Sequence, residues 1–198
     1  MPAELLWNEP ETPIATLVLA HGSGNNSRSP WMTEVAALIA GHGIRVGLFD
    51  FEYAAGPTRK PPSRVDRLAD EYRAVLAEIE GPVFIGGKSL GGRVASLIAD
   101  EVGAAGLVCL GYPFHPPGAP GKLRTEHLTH IATRTLICQG ERDPFGTRDD
   151  LAGYELSPAI TVFWVPDGDH SLRPRVASGR TERQNLEAAA AAVRTLVA

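Results

Sequence analysis

Only two cysteines, Cys109 and Cys138, occur in the 198 residues. Each sits inside an apolar run, Leu107-Val108-Cys109-Leu110 and Leu136-Ile137-Cys138, where a thiol packs as a small hydrophobe. A disulfide framework is therefore excluded, and neither sulfur is expected to act as a nucleophile. Long hydrophobic runs are missing too, and no segment approaches the roughly 18 apolar residues of a membrane span. The stretch from Met1 to Glu9 carries neither the basic cluster nor the apolar core of a leader, so cytoplasmic residence away from membranes is expected. Basic excess is absent as well. With 19 Lys+Arg against 23 Asp+Glu the formal charge is −4, and no basic stripe follows the chain, so nucleic acid is not an expected partner. No pair of histidines has metal-ligand spacing supported by a third ligand, and neither a metal nor another cofactor is expected.

What is present is the composition of a folded protein, with 43% hydrophobic and 21% charged residues in a length suited to one domain spanning 1–198. Short apolar runs alternate with longer amphipathic stretches along the whole chain. Strands are expected at 16–20, 45–51, 83–86, 106–110, 135–139 and 160–165, and helices at 30–41, 64–80, 90–101 and 181–197, the last capped by Thr181. The strands are nearly continuous Val/Ile/Leu runs, as in a parallel sheet covered on both faces. The fold class is thus α/β, a three-layer α/β/α sandwich on a mostly parallel, doubly wound sheet. Two loops rich in Pro and Gly, 54–63 and 113–121, interrupt the pattern and are placed at the surface.

The sharpest local signal is Gly86-Gly87-Lys88-Ser89-Leu90-Gly91-Gly92-Arg93, which contains G-x-S-x-G between an expected strand and an expected helix. A strand that turns abruptly into a helix strains its corner residue, and glycines two places to either side remove side chains that would collide there. The turn would lift Ser89 Oγ above the sheet edge and aim the Leu90 N–H at an incoming oxyanion. A serine nucleophile needs a base, and the base an orienting acid. Asp143 follows the strand at 135–139, and His170 follows the last strand in Pro166-Asp167-Gly168-Asp169-His170-Ser171. Both would project at the carboxyl edge of the sheet, beside Ser89. The second oxyanion donor is expected from the loop after the first strand, Ala20-His21-Gly22-Ser23-Gly24-Asn25. Ser23 N–H is assigned, with Gly24 as its neighbouring alternative, while His21 is expected to hold the loop.

Taken together, His21-Gly22, the elbow, Asp143 and His170 resemble the α/β-hydrolase superfamily. More narrowly, Gly86 to Arg93 with Gly111-Tyr112-Pro113-Phe114-His115-Pro116-Pro117-Gly118 looks like the NSL-complex-subunit and testis-expressed branch, related to dienelactone hydrolases. The resemblance implies a minimal hydrolase fold without a cap domain and without the first one or two antiparallel strands of larger members. It implies a serine hydrolase, carboxylesterase-like, with Ser89, Asp143 and His170 as catalytic residues and Leu90 and Ser23 as the oxyanion hole. The expected partner is a small carboxylic ester or thioester, with Tyr53 and His115, and beside them Arg59 and Lys60, as candidate substrate contacts. The alternative is a non-catalytic hydrolase-like binding or interaction module.

Overall fold

The computed structural model describes residues 3–56 and 60–198; the candidate contact Arg59 lies outside them. Seven strands form one sheet: β1 (Leu6–Asn8), β2 (Ala15–Ala20), β3 (Ile44–Phe49), β4 (Val83–Lys88), β5 (Gly106–Leu110), β6 (Thr135–Gly140) and β7 (Ile160–Val165). Five helices accompany them: α1 (Pro30–Ala40), α2 (Val65–Leu76), α3 (Leu90–Ile98), the single turn α4 (Arg148–Leu151) and α5 (Glu182–Val197). Spatially the strands run β1-β3-β2-β4-β5-β6-β7, all parallel except β1, which is antiparallel to β3. The architecture is the α/β-hydrolase fold expected from the sequence. No helix among the described residues is long and apolar enough to cross a membrane.

Side-chain alternation along each strand explains the two covered faces. Val18, Ala20, Phe49, Cys109 and Ile137 point to the layer holding α2 and α3. Their neighbours Leu17, Leu19, Leu48, Val108 and Cys138 point to the layer holding α1 and α5. Every residue of β5 is buried, which is why its sequence is apolar without interruption. Helix α5 starts where the sequence placed its cap. The Thr181 hydroxyl accepts from Gln184 N–H, and the Gln184 side chain accepts from Thr181 N–H, which satisfies two amides otherwise orphaned at the helix start.

Several features depart from the sequence reading: α2 ends at Leu76 rather than at 80, α3 at Ile98 rather than at 101, β4 runs on to Lys88, and α4 was not expected. An antiparallel strand is present after all, because β1 pairs with β3 from Leu6 opposite Leu48 to Asn8 opposite Val46. Three residues carry no readable period; β1 is held by distant partners, with the Arg45 guanidinium 3.8 Å from the Trp7 ring centre. The third strand also ends at Phe49 rather than at 51. Asp50 instead accepts from Ser27 N–H, and Phe51 N–H donates to His21 Nε2, so this segment serves the loops beyond the sheet.

The chain order places a reversal between β2 and β4. From β2 the chain moves outward to β3 through α1, then returns past β2 through α2 to enter β4. In open parallel sheets such a switch leaves a crevice at the carboxyl ends of the two strands. Tyr72 of α2 joins them from below. Its buried hydroxyl accepts from Gly86 N–H at 2.9 Å and lies 2.7 Å and 2.8 Å from the Val18 and Gly86 carbonyl oxygens. Tyr72→Phe retains the ring and strands these backbone groups without a partner. The variant should lose about 1–3 kcal/mol of unfolding free energy with an unchanged denaturant slope. Equilibrium urea unfolding of the two proteins measures it.

Candidate functional site

Ser89 is the only residue between β4 and α3, and it alone turns the chain from strand to helix. Its backbone sits at φ 50° and ψ −111°, a conformation side chains rarely adopt. The flanking glycines are required by contact. A β-carbon on either Gly87 or Gly91 would collide with the Ala20 carbonyl oxygen at the end of β2, and one on Gly87 would also lie 2.7 Å from the Gly91 carbonyl carbon. The corner is pinned by Ser89 N–H, which donates to Leu110 O at 3.1 Å, and by Arg93 N–H, which donates back to Ser89 O at 3.0 Å.

The loops after β6 and β7 bring Asp143 and His170 to this corner. His170 Nε2 lies 2.8 Å from Ser89 Oγ, and Nδ1 lies 2.8 Å from Asp143 Oδ2. A carboxylate only accepts, so Nδ1 carries the proton and Nε2 is left to accept from the serine hydroxyl. Asp143 is fully buried. Its Oδ2 also accepts from Gln139 Nε2 at 2.9 Å and its Oδ1 from Phe145 N–H at 2.9 Å, so both oxygens are fixed. The Phe145 ring stacks on the imidazole with centres 4.1 Å apart. Burial pulls the His170 pKa below its ordinary value. The Asp143 hydrogen bond opposes that pull, and the nearby Lys88 ammonium adds to it.

Three neighbouring carboxylates are engaged elsewhere. Glu141 pairs with Arg148 and accepts from Asp167 N–H, while Asp167 pairs with Arg142 and Arg175. Asp169 Oδ1 accepts from the N–H groups of Ser171 and Arg173, closing the turn that carries His170. Among the carboxylates near the histidine in sequence, Asp143 is the one that meets its ring.

Lys88 was not foreseen. It stands immediately before Ser89, almost wholly buried, and its ammonium donates to the His170 carbonyl oxygen. Burial lowers its pKa to about 8, against the raising influence of Asp143 and Asp169. A charged residue at the end of an otherwise apolar strand was the available signal, as was Gln139 at the end of β6. From α1, Trp31 Nε1 donates to Ser171 O at 2.9 Å, so consecutive carbonyls of the histidine loop are held by two elements.

A cleft of about 380 Å³ opens over Ser89, within the range of small-ligand sites. Ser23 and Leu90 both line it with His170. Leu90 is the first residue of α3, so its amide has no carbonyl one turn earlier to bond. His21 donates through Nδ1 to Gly22 O at 2.8 Å and accepts at Nε2 from Phe51 N–H at 3.2 Å, both contacts bracing the loop that carries Ser23. Tyr53 and His115 are not brought to the cleft. Tyr53 packs with the rings of His21 and Phe51, and His115 is buried with Nδ1 on Pro116 O and Nε2 3.5 Å from Asp150. Lys60 is exposed and lies outside the lining, although Pro62 of the same loop belongs to it. Reading loop membership as proximity misplaced these residues: Tyr53 and His115 turn into the core where an apolar surface is offered, and Lys60 stays in solvent. Arg93 and Arg124 reach the cleft without having been singled out. Two further concavities, about 590 Å³ beside Glu52 and Glu71 and about 760 Å³ between β7 and α5, contain no residue of this constellation.

Comparison with known proteins places the fold. The structure resembles that of an α/β serine hydrolase without a lid from Xanthomonas campestris, with a TM-score of 0.73 at 17% identity over 97% of this chain and 95% of that one. It resembles Est1E from Butyrivibrio proteoclasticus, solved with ferulic acid bound, with a TM-score of 0.72 at 12% identity over 94% and 93%. A monoacylglycerol lipase from Paleococcus ferrophilus gives 0.71 at 16% identity over 95% and 99%. At these identities the likeness is one of fold. The model of the family described as the alpha/beta hydrolase domain matches residues 13–198, nearly the whole sequence, and the chain belongs to that family.

Proposed function

We propose that this protein is a carboxylesterase-like serine hydrolase of small esters or thioesters, with Ser89 as nucleophile, His170 as base and Asp143 as the orienting acid. The observation that carries the reading is the unbroken line from Ser89 Oγ through His170 to Asp143, with 2.8 Å at each step. In the proposed reaction the Ser89 oxygen bonds to the substrate carbonyl carbon as its proton passes to His170 Nε2. Asp143 stabilises the imidazolium, and the N–H groups of Leu90 and Ser23 receive the oxyanion. His170 then gives the proton to the leaving alcohol or thiol as the acyl–serine ester forms. Water, deprotonated by the same nitrogen, releases the acid and restores the serine. The NSL-complex-subunit and testis-expressed branch remains our narrower placement, on Gly86 to Arg93 and Gly111 to Gly118. Cytoplasmic residence is our expectation for a chain whose cysteines are both buried and free.

Labelling with a fluorophosphonate tests the reading. Stoichiometric modification of Ser89 is expected. Ser89→Ala should abolish labelling and reduce turnover of a small activated ester by roughly 10³-fold or more. A folded protein whose Ser89 stays inert would instead support the non-catalytic module.

Asp143→Asn keeps the shape but favours the wrong imidazole tautomer, and a fall in kcat of up to about 10⁴-fold is expected. Glu141→Gln, Asp167→Asn and Asp169→Asn alter local ion pairs and turns, and steady-state kinetics should show far smaller losses for them. An Asp169→Asn variant as impaired as Asp143→Asn would contradict the assignment of the acid.

The pH dependence follows from the burial of His170. The base must be neutral, so kcat/KM should rise with pH and level off once the proton is lost. Because burial and Lys88 lower the pKa, the midpoint should fall below the roughly 6.5 of an ordinary histidine. A pH–rate profile on a substrate limited by chemistry measures it, and a midpoint at or above about 7 would contradict the proposed environment.

A further inference from the structure

Two arginines face the cleft without a counter-ion. Arg93 stands one turn into α3, four residues beyond the proposed nucleophile, and its side chain lines the cleft with Ser89. Its Nε is buried and has no hydrogen-bond partner. Arg124 lines the same cleft. Its backbone is anchored on both sides, since its N–H donates to Phe114 O at 2.8 Å and its carbonyl accepts from Tyr112 Oη at 2.9 Å. Elsewhere arginines find acids: Arg45, Arg73, Arg148 and Arg173 each pair with a glutamate. Among the described residues, neither Arg93 nor Arg124 does.

Among the described residues the surroundings supply no opposite charge. The two guanidinium groups are near enough that Arg93, together with burial, lowers the Arg124 pKa. His127 does not relieve the repulsion. It bonds Ser96 Oγ at 2.8 Å, and its pKa is held down to about 4 by burial and Arg93. No Asp or Glu lines the cleft among the described residues, and the nearest acid in the reaction line, Asp143, is fully buried and spent on His170, Gln139 and Phe145. A chain of net charge −4 has thus gathered unpaired positive charge over its one strained serine. Two half-buried guanidinium groups side by side repel each other unless something supplies the opposite charge, and guanidinium groups match carboxylate and phosphate oxygens in pairs.

We propose that Arg93 and Arg124 form an anion-recognition subsite, and that the preferred ester or thioester carries a second, non-reacting carboxylate or phosphate a few atoms from the scissile carbonyl. The inference rests on the hydrolase reading of Ser89 and narrows its substrate class. The cleft of about 380 Å³ that holds Ser89 also holds both arginines, which sets the anion close to the scissile carbonyl.

Matched esters test it, with each rate divided by the spontaneous hydrolysis rate. p-Nitrophenyl hydrogen glutarate against p-nitrophenyl pentanoate places a carboxylate on the acyl side. 4-Acetoxybenzoate against its methyl ester places one on the leaving group, and 4-acetoxyphenyl phosphate against 4-acetoxyanisole substitutes phosphate. At least one anionic member is expected to exceed its neutral partner in kcat/KM by about 10–100-fold, mainly through KM, with the advantage shrinking as salt is added. Arg93→Gln and Arg124→Gln should each reduce that anionic-to-neutral ratio, and the double variant should remove it. Neutral esters turned over by Ser89 with no anionic preference would overturn the subsite while leaving the hydrolase reading intact, as would a preference that survives the double variant. If Ser89 neither labels nor turns over any ester, the hydrolase reading fails. Calorimetric titration with glutarate and phenyl phosphate then decides the subsite alone: binding lost in the double variant supports it, and no binding to the unsubstituted protein overturns it.

Discussion

The carbonyl oxygen of Ala20 occupies the space into which a β-carbon on Gly87 or Gly91 would point, and this close approach of β2 to the β4–α3 corner organises the carboxyl edge of the sheet. The missing side chains allow the chain to turn within a single residue, which leaves Ser89 at positive φ with its hydroxyl outward. They also bring the loop after β2 against the corner, where a β-carbon on Gly22 would lie 3.6 Å from that of Ser89. Residues of that loop and the first residue of α3 therefore line the same small volume. Larger residues at either corner glycine would separate β2 from β4 and disperse Ser89, loop and helix start together.

Around this corner the electrostatics follow one pattern. Negative charge is kept behind the imidazole, in a fully buried Asp143 with both oxygens occupied, and positive charge is kept in front, on Lys88, Arg93 and Arg124. A neutral histidine separates the two. Burial and Lys88 favour that neutral form, while Asp143 favours the imidazolium that would form when a proton arrives. The same residues thus oppose the charge on His170 at rest and have a partner ready for it when it appears.

Much of this was legible in the sequence because the signals were local. Six strands and four helices showed their periods, and Gly87, Ser89 and Gly91 carry their strain in a five-residue string. Asp143 and His170 were identifiable from chain order and from their places after β6 and β7. What escaped notice was set by distant partners. β1 is three residues long and is recognisable only through Gly47 and Arg45, which receive Trp7. Tyr53 and His115 sit on loops of the right composition, yet their rings turn inward to His21, Phe51 and Asp150. Lys88 and Gln139 read as ordinary polar punctuation at strand ends until the loops after β6 and β7 arrive beside them.

Lys88 from β4 and Trp31 from α1 both donate to carbonyls of the histidine loop, the Lys88 ammonium lying 5.6 Å from the Trp31 ring centre, and Asn185 of α5 donates to Leu172 O in the same loop. A segment tethered in this way has no independent hinge, and it leaves its place only when the sheet and helices that hold it come apart. The imidazole is thereby as durable as the fold. Heat should free the imidazole from Ser89 and melt the sheet in one transition, with no folded form preceding it in which the two have parted.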